Sequence, residues 1–143
     1  MRDADSTTVR LSEYRPPDYA IDDIALVFAL DPEETLVAAT SSVRRVSAAP
    51  APLILNGARL ELQSIAIDGR LLAQGEYKLS ADALVIADPP ASFRLDIVTR
   101  LNPAANTHLE GLYMSGGRFC TQCEAEGFRS ITYSLDRPDV LSR

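Results

Sequence analysis

The chain has 143 residues and a mass of 15.5 kDa, a size that suits one domain. Hydrophobic residues make up 46% and charged residues 24%, proportions that exclude wholesale disorder. Acidic residues outnumber basic ones 20 to 14, the net charge is −6, and Lys78 is the only lysine. The sequence therefore lacks a basic stripe that would bind nucleic acid or an anionic membrane, and we expect neither as a partner.

Two features of the sequence bear on where the protein works. The longest apolar run, Ile24 to Leu30, is too short to span a membrane, and the charged N-terminus has no apolar stretch typical of a secretory signal. Two cysteines, Cys120 and Cys123, cannot build a multi-bridge disulfide scaffold. Both observations favour a reduced, cytoplasmic setting.

The first half of the chain predicts short strands. Residues 1–14 are polar and without pattern, so we expect a flexible lead-in. Large apolar residues then alternate over 24–30, which predicts a strand with one heavily buried face, and the Val- and Thr-rich segment 35–46 completes a hairpin. A brief strand over 53–55 is closed by Asn56-Gly57, a strong signal for a two-residue turn.

The pattern of short strands continues through the second half. The parity of apolar positions switches between Leu62 and Ile65, which predicts a bulge near Ser64. Further strands are predicted over 77–79, 83–87, 93–99, 109–114 and 119–124, and the spacing of Phe128, Ile131 and Leu135 predicts a short helical segment. The fold class is therefore all-β, mainly antiparallel and sandwich-like, with a short helical segment near the C-terminus.

The pair Cys120 and Cys123 forms a CxxC motif, which occurs in redox and metal sites. The predicted strand around it lacks the helix that lowers a thiol pKa, and His108 is the only histidine, so four zinc ligands are not available. We expect two small buried thiols instead. The sequence also lacks HExxH and GxSxG motifs, so the chain by itself is not expected to be an enzyme.

Three polar residues share one strand parity in the predicted strand: Gln122, Glu124 and Glu126. A carboxylate beside an amide suits an ammonium ligand, because the carboxylate balances the charge and the amide oxygen accepts another N–H. The alternative is an ordinary solvated edge strand, which spacing alone favours.

Longer segments make the C-terminal third recognisable. They are Asn106–Ser115, Cys120–Arg129, Ile131–Tyr133 and Leu135–Val140, together with Tyr14–Tyr19 ahead of the first strand. In these segments the chain resembles the bacterial aminopeptidase N family, zinc-dependent gluzincin aminopeptidases that remove N-terminal residues from peptides. The resemblance extends over nearly everything from Tyr14 onward.

The resemblance implies a fold and a site. Family members begin with a mostly β, saddle-shaped domain that packs on a thermolysin-like catalytic domain and contributes a Gln-x-Glu element to the active-site cleft. Gln122 and Glu124 occupy those positions. The family implies that Glu124 binds the free α-amine of the substrate and that Gln122 shapes the pocket for its first side chain.

The family's zinc-binding HExxH helix, its distal glutamate and its Gly-x-Met-Glu-Asn motif are not in this sequence. We therefore expect residues 15–143 to be an incomplete N-terminal β domain, without the catalytic domain, that binds no catalytic zinc and hydrolyses nothing alone. Its expected partners are that catalytic domain, which would hold the zinc, and the N-terminus of a peptide substrate.

Two further expectations accompany this one. The alternative function is a free-standing β-sandwich that binds a protein or a glycan. The sequence also stops where a new apolar strand starts, at Val140-Leu141, and an unfinished sheet edge exposes unpaired backbone groups. We therefore expect copies of this chain to pair edge to edge as a dimer.

Overall fold

The computed structural model describes residues 10–143, in which almost all regular structure is β. Every strand pair within that range is antiparallel, so the predicted fold class is confirmed. The strands are β1 (Tyr19–Ala29), β2 (Thr35–Arg45), β3 (Leu53–Asn56), β4 (Glu61–Ile67), β5 (Arg70–Leu71), β6 (Tyr77–Leu79), β7 (Ala83–Ile86), β8 (Ser92–Leu101), β9 (Gly111–Ser115) and β10 (Arg118–Gln122).

The larger sheet has the strand order β1-β2-β8-β4-β5. The predicted β1–β2 hairpin is confirmed, and its turn is closed by the Asp31 carboxylate, which accepts hydrogen bonds from the backbone N–H groups of Glu33 and Glu34 at 2.9 and 3.0 Å. β1 begins at Tyr19, earlier than predicted, and its most buried residues are Tyr19 and Ile21 rather than the predicted 24–30 face, which is only half-buried. Ile24, Leu26 and Phe28 alternate with exposed residues, and each of the three is half-buried.

A smaller sheet, β3-β7-β6, packs on one half of the larger sheet. Apolar residues of both sheets form the main core cluster between them. Its fully enclosed members include Ile21, Leu53, Leu84 and Leu95, each at most 2% exposed. Burial of such side chains contributes about 1.5–3 kcal/mol each, so this cluster holds the two layers together.

The β9–β10 hairpin covers the other half of the larger sheet. A second cluster joins them, centred on Val37, Leu101, Leu112 and Ile131, with Phe28 half-buried at its side. The long strands β1, β2 and β8 therefore carry two different partners on one face. Among residues 10–143, no helix is long and apolar enough to cross a membrane.

Three local predictions have different outcomes. The register shifts between Leu62 and Ser64, which confirms the bulge. The predicted helical segment is a single 3₁₀ turn, Phe128–Ser130. Asn56-Gly57 does not form a hairpin turn, because β3 pairs with β7 and Asn56 forms a β-bridge with Ser134.

The two ends of the described chain are tied to neighbouring segments. The Tyr14 hydroxyl donates to the Asp139 carboxylate at 3.0 Å. Near the C-terminus, the backbone N–H of Arg143 donates to the Asp22 carbonyl at 3.1 Å, and Ile24 N–H donates to the Arg143 carbonyl at 2.8 Å. The flexibility predicted for residues 1–14 stays a prediction, and positions 1–9 lie outside the described residues.

Replacing either of two buried threonines with valine should have opposite effects on stability. The Thr99 hydroxyl donates to the Ile131 carbonyl at 3.0 Å, whereas the fully buried Thr132 hydroxyl has no hydrogen-bond partner among residues 10–143. Thr99→Val should cost about 1–3 kcal/mol because it leaves a buried carbonyl unpaired. Thr132→Val should be neutral or stabilising, because it removes an unpaired polar group from the interior. Urea unfolding of both variants checks this, and equal losses would contradict it.

Candidate functional site

The segment predicted to bind an amine lies where β10 ends. β10 stops at Gln122, and Glu124 and Glu126 follow in a tight loop, 123–127, rather than in the predicted strand. The expected alignment of three side chains on one strand face is therefore wrong. Glu126 faces Arg129 instead, with 3.3 Å between its Oε2 and the arginine Nη2.

Gly127 closes this loop. Its backbone N–H donates to the Cys123 carbonyl at 2.9 Å. A side-chain Cβ at Gly127 would lie only 2.6 Å from the Gln122 carbonyl oxygen, although its φ of −83° is open to any residue. Glycine is therefore required here for close backbone approach and not for an unusual backbone angle.

The loop presents the Glu124 side chain to the outside. Gln122 and Glu124 are both exposed, and the peptide bond between Glu124 and Ala125 is cis. The Glu124 carboxylate forms no hydrogen bond or ion pair with any residue in the range 10–143, while its neighbour Glu126 is paired. An unpaired carboxylate on a closed loop is able to accept charge-assisted hydrogen bonds from a cationic ligand.

Arg129 anchors the far end of the loop. Its Nε and its backbone N–H both contact the Asp136 carboxylate at 3.0 Å, and its Nη2 donates to the Asp136 carbonyl at 2.9 Å. Asp136 in turn donates its backbone N–H to Asn56 Oδ1 at 3.2 Å. The side chains of Arg129 and Asp136 are 23% and 11% exposed, so solvent screens this pair less than the surface pairs.

The sequence did not point to Arg129, Gly127 or Asn56 as parts of the site. Within the segment Asp136–Asp139, Arg137 pairs with Asp139 at 2.7 Å, whereas Asp136 pairs with Arg129. The β-bridge between Asn56 and Ser134 brings Asn56 close to Asp136, and this contact between distant segments has no local sequence signal.

The cysteines lie at the same end of β10. Both are free and half-buried, which is less buried than predicted. Burial raises the pKa of the Cys123 thiol, and the charge of Asp136 adds to that effect. A raised thiol pKa lowers the thiolate fraction at neutral pH, which is the opposite of what a reactive CxxC motif needs.

The described residues do not form a zinc site. Within 10–143, no three side chains of His, Cys, Asp or Glu come together as a metal-binding group. His108 lies exposed in the loop that precedes β9. A zinc ion needs about three or four converging donors, so the ligand set is not supplied by this part of the chain.

Comparisons with known proteins show which proteins this chain is similar to. The chain is 57% identical over 143 residues to Aminopeptidase N of Caulobacter vibrioides and spans 17% of that protein's length. The structure superposes on Legionella pneumophila aminopeptidase A, solved in complex with aspartic acid, with a TM-score of 0.84, 30% identity, and coverage of 94% of this chain and 16% of that one.

A more distant solved structure shares the fold. It is an M1 zinc metallopeptidase mutant from Deinococcus radiodurans bound to a Tyr-Ser-Ala substrate, with a TM-score of 0.70, 14% identity, and coverage of 87% of this chain and 31% of that one. The family model described as the Peptidase M1 N-terminal domain matches residues 16–143. The chain belongs to the family of M1 peptidase N-terminal domains.

Proposed function

We propose that this chain is the scaffold and substrate-amine-binding domain of a zinc-dependent aminopeptidase that releases N-terminal residues from peptides. The observation that carries the proposal is the exposed, unpaired carboxylate of Glu124 on a loop that Gly127 and Arg129 hold closed. Gln122, the last residue of β10, borders the same loop and would shape the pocket for the first side chain.

The proposed role of Glu124 is recognition of a free N-terminus. An α-ammonium group paired with this carboxylate forms charge-assisted hydrogen bonds, which are the strong ones. A peptide bound by an internal segment would leave the carboxylate unpaired in the cleft. The domain would thereby favour exopeptidase over endopeptidase cleavage.

Hydrolysis requires residues outside this chain. Zinc, which the family resemblance implies, would be held by the catalytic domain of a longer protein, because the described residues supply no ligand set. The domain would then act by orienting the substrate, and we propose that it does so in the cytoplasm. Orientation alone contributes several kcal/mol to lowering a reaction barrier.

The proposal is tested by comparing two proteins with one substrate, alanine p-nitroanilide. The pure 143-residue chain should release no nitroaniline, with or without added zinc. A gene product that contains this chain and the catalytic motifs should release it and lose the activity on chelation. Zinc-dependent release by the 143-residue chain, or an inactive longer product that binds a protein or glycan instead, would contradict the proposal.

We also propose that isolated copies of the chain pair along the outer edge of β1. β1 is an edge strand, and residues 24–30 carry no charge, although charges are the usual protection of an open edge. Leu26 and Phe28 follow Ile24 at period two, so their backbone groups face the edge where Ile24 meets Arg143.

Sedimentation over a range of concentrations should show a dimer of the 143-residue chain. Val27 is 68% exposed on β1, and Val27→Lys should shift the chain to monomer because a lysine disfavours edge pairing. Ile54→Lys, at a 52% exposed position on β3, is the matched control and should leave the dimer intact. A monomer at every concentration rules the pairing out.

A further inference from the structure

We propose that Arg129 is the positioning residue for Glu124: by bridging Glu126 to Asp136, it holds the loop 123–127 in the conformation that presents the Glu124 carboxylate. This inference rests on the proposed function for its consequence in catalysis. Its structural part, the ordering of the loop by Arg129, can be tested in the isolated chain.

The loop itself has few internal contacts. Among the described residues, its one internal backbone hydrogen bond runs from Gly127 N–H to the Cys123 carbonyl. The Glu124 side chain adds none. The direction in which Glu124 points is therefore set by how the two ends of the loop are held, and the first end is fixed because Gln122 belongs to β10.

The second end is held by Arg129. One edge of its guanidinium group donates hydrogen bonds to Asp136, from Nε to Oδ2 at 3.0 Å and from Nη2 to the backbone carbonyl at 2.9 Å. The same Nη2 lies 3.3 Å from Oε2 of Glu126, two residues beyond Glu124. A planar guanidinium is suited to this double role, because its donors are fixed in direction, whereas a lysine ammonium is a single point charge.

Hydrogen bonds connect Arg129 and Asp136 to residues beside the core. Asp136 N–H donates to Asn56 Oδ1 at 3.2 Å, and Ala58 N–H donates to the Arg129 carbonyl at 2.9 Å. Asn56 is the last residue of β3, in which Leu53 and Leu55 are fully buried, and Ala58 follows that strand closely. The loop is thus fastened through Arg129 to the smaller sheet, on the opposite side from β10.

Amide hydrogen exchange in the 143-residue chain tests the structural part. Arg129→Lys should raise the exchange rate of the Gly127 amide at least about 10-fold while the Leu95 amide, in the core of β8, stays within about 2-fold. Arg100→Lys is the matched control, because Arg100 also bridges two carboxylates, Glu34 and Glu61, but far along the chain from the loop. It should change neither amide.

Two results of this measurement would overturn the inference. One is an unchanged Gly127 amide. The other is an equal rise at Gly127 and Leu95, which would mean that Arg129 stabilises the whole fold. Glu126→Gln, at a side chain that is 62% exposed, removes only the contact to the loop and should still raise Gly127 exchange if Arg129→Lys does not fold.

Kinetics of the longer aminopeptidase test the consequence in catalysis. Arg129→Lys should raise KM for alanine p-nitroanilide several-fold, and in the Glu124→Gln background it should add nothing, because its effect passes through Glu124. Additive effects would overturn the positioning role. An unchanged KM in Glu124→Gln alone would instead refute the proposed amine-binding function, and the exchange measurement separates the two failures.

Discussion

Glu124→Gln in the longer aminopeptidase should lower kcat/KM for alanine p-nitroanilide by about 10- to 100-fold. A hydrogen bond to a charged group contributes about 1.5–3 kcal/mol, and each 1.4 kcal/mol corresponds to about a factor of ten. Most of the change should appear as a higher KM, because the substitution removes the partner of the α-ammonium group. Some should appear in kcat, because a substrate held by its other contacts presents its carbonyl less accurately.

A substrate without the amine separates recognition from other effects of the substitution. Propionyl p-nitroanilide lacks the α-amine, and wild type and Glu124→Gln should cleave it equally slowly. Glu33→Gln is the matched control, since Glu33 is also an exposed glutamate in a turn, between β1 and β2, and should keep wild-type kinetics. An unchanged KM for the alanine substrate in Glu124→Gln would show that another group holds the amine.

Gly57→Ala should destabilise the fold strongly. A Cβ at Gly57 would overlap Cδ1 and Cε1 of the Tyr133 ring, which is only 7% exposed and enclosed by the main core cluster. Overpacking of a close-packed interior costs about 1–3 kcal/mol, and the severity of this overlap places it at the upper end. A loss of that size lowers the melting temperature by about 10 °C in a domain of this length.

Gly116→Ala provides the comparison. Gly116 has a φ of +57°, but nothing lies within 4 Å of the position its Cβ would take. The cost there is only that of a left-handed backbone, about 1–2 kcal/mol. Calorimetry of both variants should therefore rank Gly57→Ala below Gly116→Ala in melting temperature.

The Tyr133 ring identifies the cause of the Gly57 effect. In the Gly57→Ala background, truncating the ring with Tyr133→Ala should cost less than it does in the wild-type chain, because the same change relieves the overlap. Strictly additive free energies would contradict this explanation. They would mean that the alanine at position 57 acts through the backbone.

Gly57 and Gly127 show which structural features local sequence signals can predict and which they cannot. Asn56-Gly57 reads as a hairpin turn, yet Gly57 is needed because Tyr133 lies against it. Gly127 likewise has an ordinary φ and is required by the Gln122 carbonyl. Sequence reasoning detects glycines that adopt positive φ in turns, such as Gly69 after Asp68, because that signal is local. It does not detect close approach between distant segments.

The strands were largely predictable, although the β1 face predicted to be heavily buried is only half-buried. Residues of β8 alternate at period two, with Phe93, Leu95 and Ile97 inside and Arg94 outside, and the parity switch located the bulge by Ser64. These features depend on the burial of neighbouring side chains along one strand, which the order of residues records directly.

The sequence by itself therefore determined the all-β class and the β1–β2 hairpin. Through its resemblance to a family, it also identified Gln122 and Glu124 as candidate substrate-binding residues. The tertiary structure decided that Glu124 leaves the strand for a closed loop and that Arg129 connects that loop to Asp136 and Asn56. The reason is physical: Asn56 belongs to β3 and contacts Asp136, 80 positions along the chain, through tertiary packing, and no local periodicity encodes such a contact.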